Sequence, residues 1–104
     1  MPLRPMNRDD KLILLFYLLN RQTGAIADCL RHIQGDKQGA NYTDEEAKGW
    51  IAHIQTELAD TSLIVRRICN VLDLDYDTTL IMGIIRDAEK KGEYLQRHPG
   101  AYWV

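Results

Sequence analysis

The segment Thr43–Leu72, TDEEAKGWIAHIQTELADTSLIVRRICNVL, carries a strong helical pattern. Its apolar positions Ile51, Ile54, Leu58, Thr61, Val65, Ile68 and Leu72 alternate steps of three and four, the spacing of one helical face. Thr43-Asp44-Glu45-Glu46 opens it as a capping box, with Thr43 as N-cap and Glu46 at the third helical position. A helix over residues 44–72 is the reading.

On the N-terminal side, Asn7 is a good N-cap, and Asp9 and Asp10 set negative charge against the dipole of a first helix. Leu12, Leu15, Leu19, Ile26, Cys29 and Ile33 give that helix one apolar face over about residues 7–34, and Gly35 offers a C-terminal stop. The run Leu12–Leu19 (LILLFYLL) is apolar on every side. Residues Gly35 to Tyr42 (GDKQGANY) read as a polar loop. On the other flank DLDYD (Asp73–Asp77) reads as a short turn, with Asp75 the N-cap of a third helix over residues 76–96. Leu80, Ile81, Ile84, Ile85, Ala88 and Leu95 are its expected inward residues. Pro99 ends it, and Tyr102 and Trp103 are expected to dock on a helix surface. No proline interrupts Met6–His98, which suits long helices.

The expectation is therefore an all-α, single-domain chain over residues 1–104, with residues 1–6 and 98–104 as flexible or docking tails. Three helices this apolar leave large faces open, and such faces mark an interface. A helical bundle completed by dimerisation, as a homodimer or a dimer of dimers, closes the core.

Composition narrows the function. Of the 104 residues, 45% are hydrophobic and 27% charged, a globular balance. The net charge of −2 supplies no positive field to draw in nucleic acid. The eight-residue run Leu12–Leu19 is far short of the about 20 apolar residues that cross a membrane. Cys29 and Cys69 sit among apolar residues and form no C-x-x-C pair, as buried thiols of a reducing cytoplasm do.

The chemistry-bearing residues gather on the second helix. Glu46, His53, Glu57, Asp60 and Arg67 share one stripe, and Glu57-Leu58-Ala59-Asp60 sets two carboxylates one turn apart. Such a pair is either a solvated helix face or a seat for Mg2+, which prefers oxygen ligands and often also holds phosphate. His53, one turn before Glu57, is a ligand or base, or a structural partner of that acid. Arg86, Lys90, Lys91 and Arg97 make a basic end on the third helix, which either contacts phosphate or simply complements the helix C-terminus.

The phrase ELADTSLIVRRICNVLDLD (Glu57–Asp75), followed by a helix with a basic end, resembles the MazG-like all-α nucleoside triphosphate pyrophosphohydrolases. The resemblance spans roughly residues 10–97. In that family one helix carries E-E-x-x-E within a phrase like EEVGELAEAL, and the next carries E-x-x-D within a phrase like EELGDVLW. The acids hold Mg2+, which binds the triphosphate, and the products are a nucleoside monophosphate and pyrophosphate. A four-helix core forms by dimerisation. The resemblance implies Glu57 and Asp60 as metal ligands and Lys91, Lys90 and Arg97 as contacts to a nucleotide or other phosphate-bearing molecule; beside it, His53 is a further candidate contact, and Glu46 or Asp28 the candidate for a remaining ligand or water-orienting base.

The first motif departs from the pattern. Arg21-Gln22-Thr23-Gly24-Ala25-Ile26-Ala27-Asp28-Cys29-Leu30 aligns with EEVGELAEAL, so the three glutamates become Arg21, Gln22 and Ala25. Gln22 offers only a neutral carbonyl oxygen and Ala25 offers nothing. Either the site moves one turn to use Asp28 with Glu57 and Asp60, or Arg21 folds over the two acids and replaces the metal by a salt bridge. The charge count favours a weakened or lost metal site. The two function readings are thus a Mg2+-dependent pyrophosphohydrolase and a non-catalytic oligomeric binding module descended from that fold. A helical partner-binding protein unrelated to nucleotides is the third.

Overall fold

A computed structural model describes residues 5–37 and 43–103. Three helices make up its regular structure, α1 (Arg8–Lys37), α2 (Asp44–Val71) and α3 (Tyr76–Arg97), with no strand among the described residues. The fold is all-α, as expected. None of the helices is long and apolar enough to cross a membrane among the described residues. Residues 1–4, in the expected N-terminal tail, residues 38–42 of the expected polar loop, and residue 104 lie outside the described residues.

The helix starts follow the sequence chemistry. Asn7 Oδ1 accepts from the Asp10 N–H at 2.8 Å and caps α1. At α2 the Glu46 N–H donates to Thr43 Oγ1 at 3.2 Å, and that hydroxyl donates to Glu46 Oε1 at 3.1 Å. Asp75 caps α3 by accepting from the Thr78 N–H at 2.9 Å and the Thr78 hydroxyl at 2.7 Å. Those two donors hold the Asp75 carboxyl below its ordinary value of 3.8.

The helix ends differ slightly from expectation. α1 runs past Gly35 to Lys37. A glycine stops a helix only where it turns left-handed; otherwise it weakens the helix by about 1 kcal/mol and stays in it. α2 stops at Val71, with the Leu72 N–H reaching Ile68 O at 3.1 Å. Asp73 then takes a φ of 55°, the left-handed step that turns the chain. Aspartate, with its short polar side chain, is one of the few non-glycine residues that visits this region. α3 extends to Arg97, and Gly100 turns the tail at a φ of 84°.

The chain divides into two compact units, Met1–Leu72 and Asp73–Val104. In the first, α1 and α2 pack on each other as a hairpin. Leu15 and Cys29 of α1 and Ile64 and Cys69 of α2 are its buried apolar residues. The α1 face is the expected one, with Leu12, Leu19, Ile26 and Ile33 half-buried around those two.

The α2 face is not. Ile54, Thr61 and Ile68 are half-buried, but Ile51 and Leu58 stay 54% and 49% exposed, and Val65 and Leu72 are exposed as well. The inward stripe is instead rotated toward Trp50, Glu57 and Ile64. A single neighbouring helix covers one narrow stripe, so the row at Ile51, Leu58, Val65 and Leu72 is left to the side.

In the second unit, Leu80, Ile81, Ile84, Ile85 and Ala88, expected inward, are exposed, and only Leu95 of that set is half-buried. Among the described residues of this unit, the tail packs against the C-terminal half of α3. There Trp103 Nε1 donates to Asp87 Oδ1 at 3.3 Å, and its ring lies 5.4 Å from that of Tyr94. Trp103 therefore docks as expected, whereas Tyr102 stands 97% exposed.

Candidate functional site

Glu57 is the centre of the polar chemistry in the α1/α2 hairpin. Its position on the inward stripe leaves its side chain 17% exposed. A carboxylate so placed needs partners, because burying an unpaired charge is costly. Gln22 of α1 supplies them: its Nε2 donates both to the Glu57 carboxylate and, at 3.0 Å, to the Glu57 backbone carbonyl. His53, one turn earlier on α2, places Nε2 3.2 Å from the other carboxylate oxygen. Thr61 closes the group by donating its hydroxyl to the same Glu57 carbonyl at 2.8 Å.

An aromatic ladder lies beside this cluster. The His32 ring of α1 stacks on Trp50 of α2 at 3.8 Å and 5°. Trp50 in turn lies 5.7 Å from His53, nearly parallel at 14°. His32 Nε2 also sits 3.9 Å from Asp28, whose other oxygen binds Arg31 at 2.8 Å. Cys29 is buried between the two acidic positions. Its burial pushes the thiol's pKa up, and the charges of Glu57 and Asp28 push it the same way. It is a packing residue, shielded from thiolate chemistry.

Of the residues singled out in the sequence, three come together: Gln22, His53 and Glu57. Asp60 is exposed on α2 and joins none of these bonds. Asp28 is committed to Arg31, and Glu46 to the cap of its own helix. Arg21 is exposed and forms an ion pair with neither Glu57 nor Asp60 among the described residues, so the salt-bridge arrangement is not the one adopted. The amide next to it takes that place. Lys90, with Gly83, Arg86 and Asp87, lines a shallow hollow on α3, while Lys91 and Arg97 are exposed in the same unit.

His32 and Trp50 are the residues that sequence reasoning passed over. The four-residue step from Asp28 to His32 was the one available signal, since it puts both on one helical face.

The donor set falls short of what Mg2+ asks. The ion needs several oxygens in near-octahedral array. Here one carboxylate has both oxygens engaged by nitrogen donors, the second faces solvent, and Ala25 brings no oxygen at all. No group of three His, Cys, Asp or Glu able to hold a metal occurs among the described residues. What the cluster does chemically, as it stands, is fasten α1 to α2 through a polar contact. Comparison with protein families, with curated proteins and with solved structures finds no match for this chain.

Proposed function

We propose that this chain is a MazG-like helical domain whose Mg2+-dependent pyrophosphohydrolase chemistry is weakened or lost. It serves as a cytoplasmic, homodimeric module that binds a nucleotide or another phosphate-bearing small molecule. One observation carries the reading: Gln22 of α1 meets Glu57 of α2. These are the positions at which the resemblance sets an acid from each helix on one metal. A contact between these two positions supports that register, with an amide where one of the acids belongs. An amide donor satisfies the remaining carboxylate without an ion, which is why the contact persists after the chemistry has faded.

Three further features support the reading. The exposed aliphatic row on α2 and the exposed apolar half of α3 are surfaces that a second copy would cover. Arg86, Lys90, Lys91 and Arg97 supply cations for phosphate, and the two free cysteines fit a reducing compartment.

A competing, fully active reading needs the Gln22 amide to turn its oxygen inward, a rotation that exchanges O for N at no cost in shape. One experiment separates the two. The protein is incubated with a panel of nucleoside triphosphates and millimolar Mg2+, following pyrophosphate release and Tm together. The expected result is a nucleotide-dependent rise in Tm with little or no release. Brisk turnover of any nucleotide would overturn the loss of catalysis, and a Tm unmoved by every nucleotide would overturn the binding function.

A further inference from the structure

Where the start of α1 lies beside the end of α2, a hollow of about 260 Å3 opens in the hairpin. Leu14, Leu15, Leu18 and Val71 give it an apolar lining with Met6, and Lys11, Arg67 and Asn70 line it as well. Both cations are exposed, and neither forms an ion pair among the described residues. In a chain of net charge −2, two cations without an acid partner beside an apolar hollow make an unbalanced local field. The combination is selective. An uncharged oil would make no use of the cations, and a bare phosphate would make none of the leucines. Sites for small molecules have this character, mostly apolar with a few polar groups that fix orientation.

We propose that this hollow binds an amphipathic anion, its aliphatic tail against Leu15, Leu18 and Val71 and its headgroup between Lys11 and Arg67. The Arg67 guanidinium offers a planar fork that pairs with carboxylate or phosphate, and Lys11 adds a mobile point charge. The site is separate from the Glu57 cluster and does not depend on the nucleotide reading.

The test is calorimetric titration of the full chain with decanoate, decyl phosphate and decanol, each below its aggregation threshold. The expected result is saturable binding of at least one anion, with decanol weaker by about tenfold or more, the scale of one charge-assisted hydrogen bond. Decanoate alone would identify a carboxylate headgroup, and decyl phosphate alone a phosphate monoester. Arg67→Gln and Lys11→Gln should each weaken the anion by about tenfold and leave decanol unchanged. Should Arg67→Gln fail to fold, Lys11→Gln and the loss of affinity with added salt carry the same question. The proposal is overturned by no saturable anion binding, by decanol binding as tightly, or by unchanged affinity in the foldable variant. Affinity that falls as protein concentration rises would also overturn it, because the hollow would then be filled by a second copy.

Discussion

In a Gln22→Glu variant the amide that holds Glu57 becomes a second carboxylate of nearly the same shape. Two donated hydrogen bonds are lost, one to a charged acceptor and one to a carbonyl. The first contributes about 1.5–3 kcal/mol and the second about 1 kcal/mol. Two negative charges also face each other, and at about 4 Å, in the effective dielectric that suits such sites, they repel by up to about 4 kcal/mol. Glu57 is 17% exposed, so water screens only part of this. Side-chain relaxation takes back a share, leaving a destabilisation of about 3–5 kcal/mol against a typical total of about 5–15 kcal/mol. Urea unfolding followed by circular dichroism, near neutral pH with a chelator, reads this directly. Millimolar Mg2+ or Mn2+ should offset the repulsion in the variant while leaving the parent protein unmoved. An unfolding midpoint equal to that of the parent at neutral pH in chelator would refute the Gln22–Glu57 contact as the fastening of the hairpin.

Arg21→Ala should change stability by less than about 0.5 kcal/mol, since Arg21 is exposed and bonds neither acid; a larger loss in the same unfolding assay would restore the salt-bridge arrangement. Asp75→Ala should lower the Tm at neutral pH by removing both Thr78 contacts. Because the Asp75 carboxyl is held below 3.8, its contribution is present above that pH and fades below it, so the two melting curves should converge in acid. Native protein should react slowly with an aromatic disulfide reagent at mildly alkaline pH, both thiols being buried, and rapidly in urea; fast reaction at Cys29 in the folded state would contradict its burial and raised pKa.

Local chemistry was legible in the sequence, and choices between neighbouring faces were not. Asn7, Thr43 and Asp75 cap the helices they were expected to cap, and the turn at DLDYD falls where the polar cluster sits. Each of those depends on a side chain reaching backbone groups three residues away, so the signal is local. The partner of Glu57 depends on how α1 is rotated. Arg21 and Gln22 are successive residues about 100° apart around the helix, and either could face α2. Charge favoured a weakened metal site and left Arg21 as one of two ways to arrange the acids, whereas packing of the Leu15–Cys29 face turns Gln22 inward. The His32–Trp50 stack was hidden for the same reason, since it joins residues of two helices whose relative rotation no single stretch of sequence records.

The expected α2 stripe connects the fold to the proposed assembly. It contained two rows, and the structure separates them: Ile54, Thr61 and Ile68 turn toward α1, while Ile51, Leu58, Val65 and Leu72 repeat every seven residues on the outside. A seven-residue repeat is the spacing at which one helix keeps contact with another over several turns. The inner face spends its central position on Glu57, a polar residue that fixes register and adds little apolar burial. The outer face carries only aliphatic residues along that row. Four buried apolar residues among the described residues are a slender core, and burial is what offsets the chain entropy lost on folding. The two faces therefore divide the labour in the proposed dimer: the Gln22–Glu57 contact sets how α1 meets α2 within one copy, and the outer row holds the apolar surface that pairing with a second copy would remove from water.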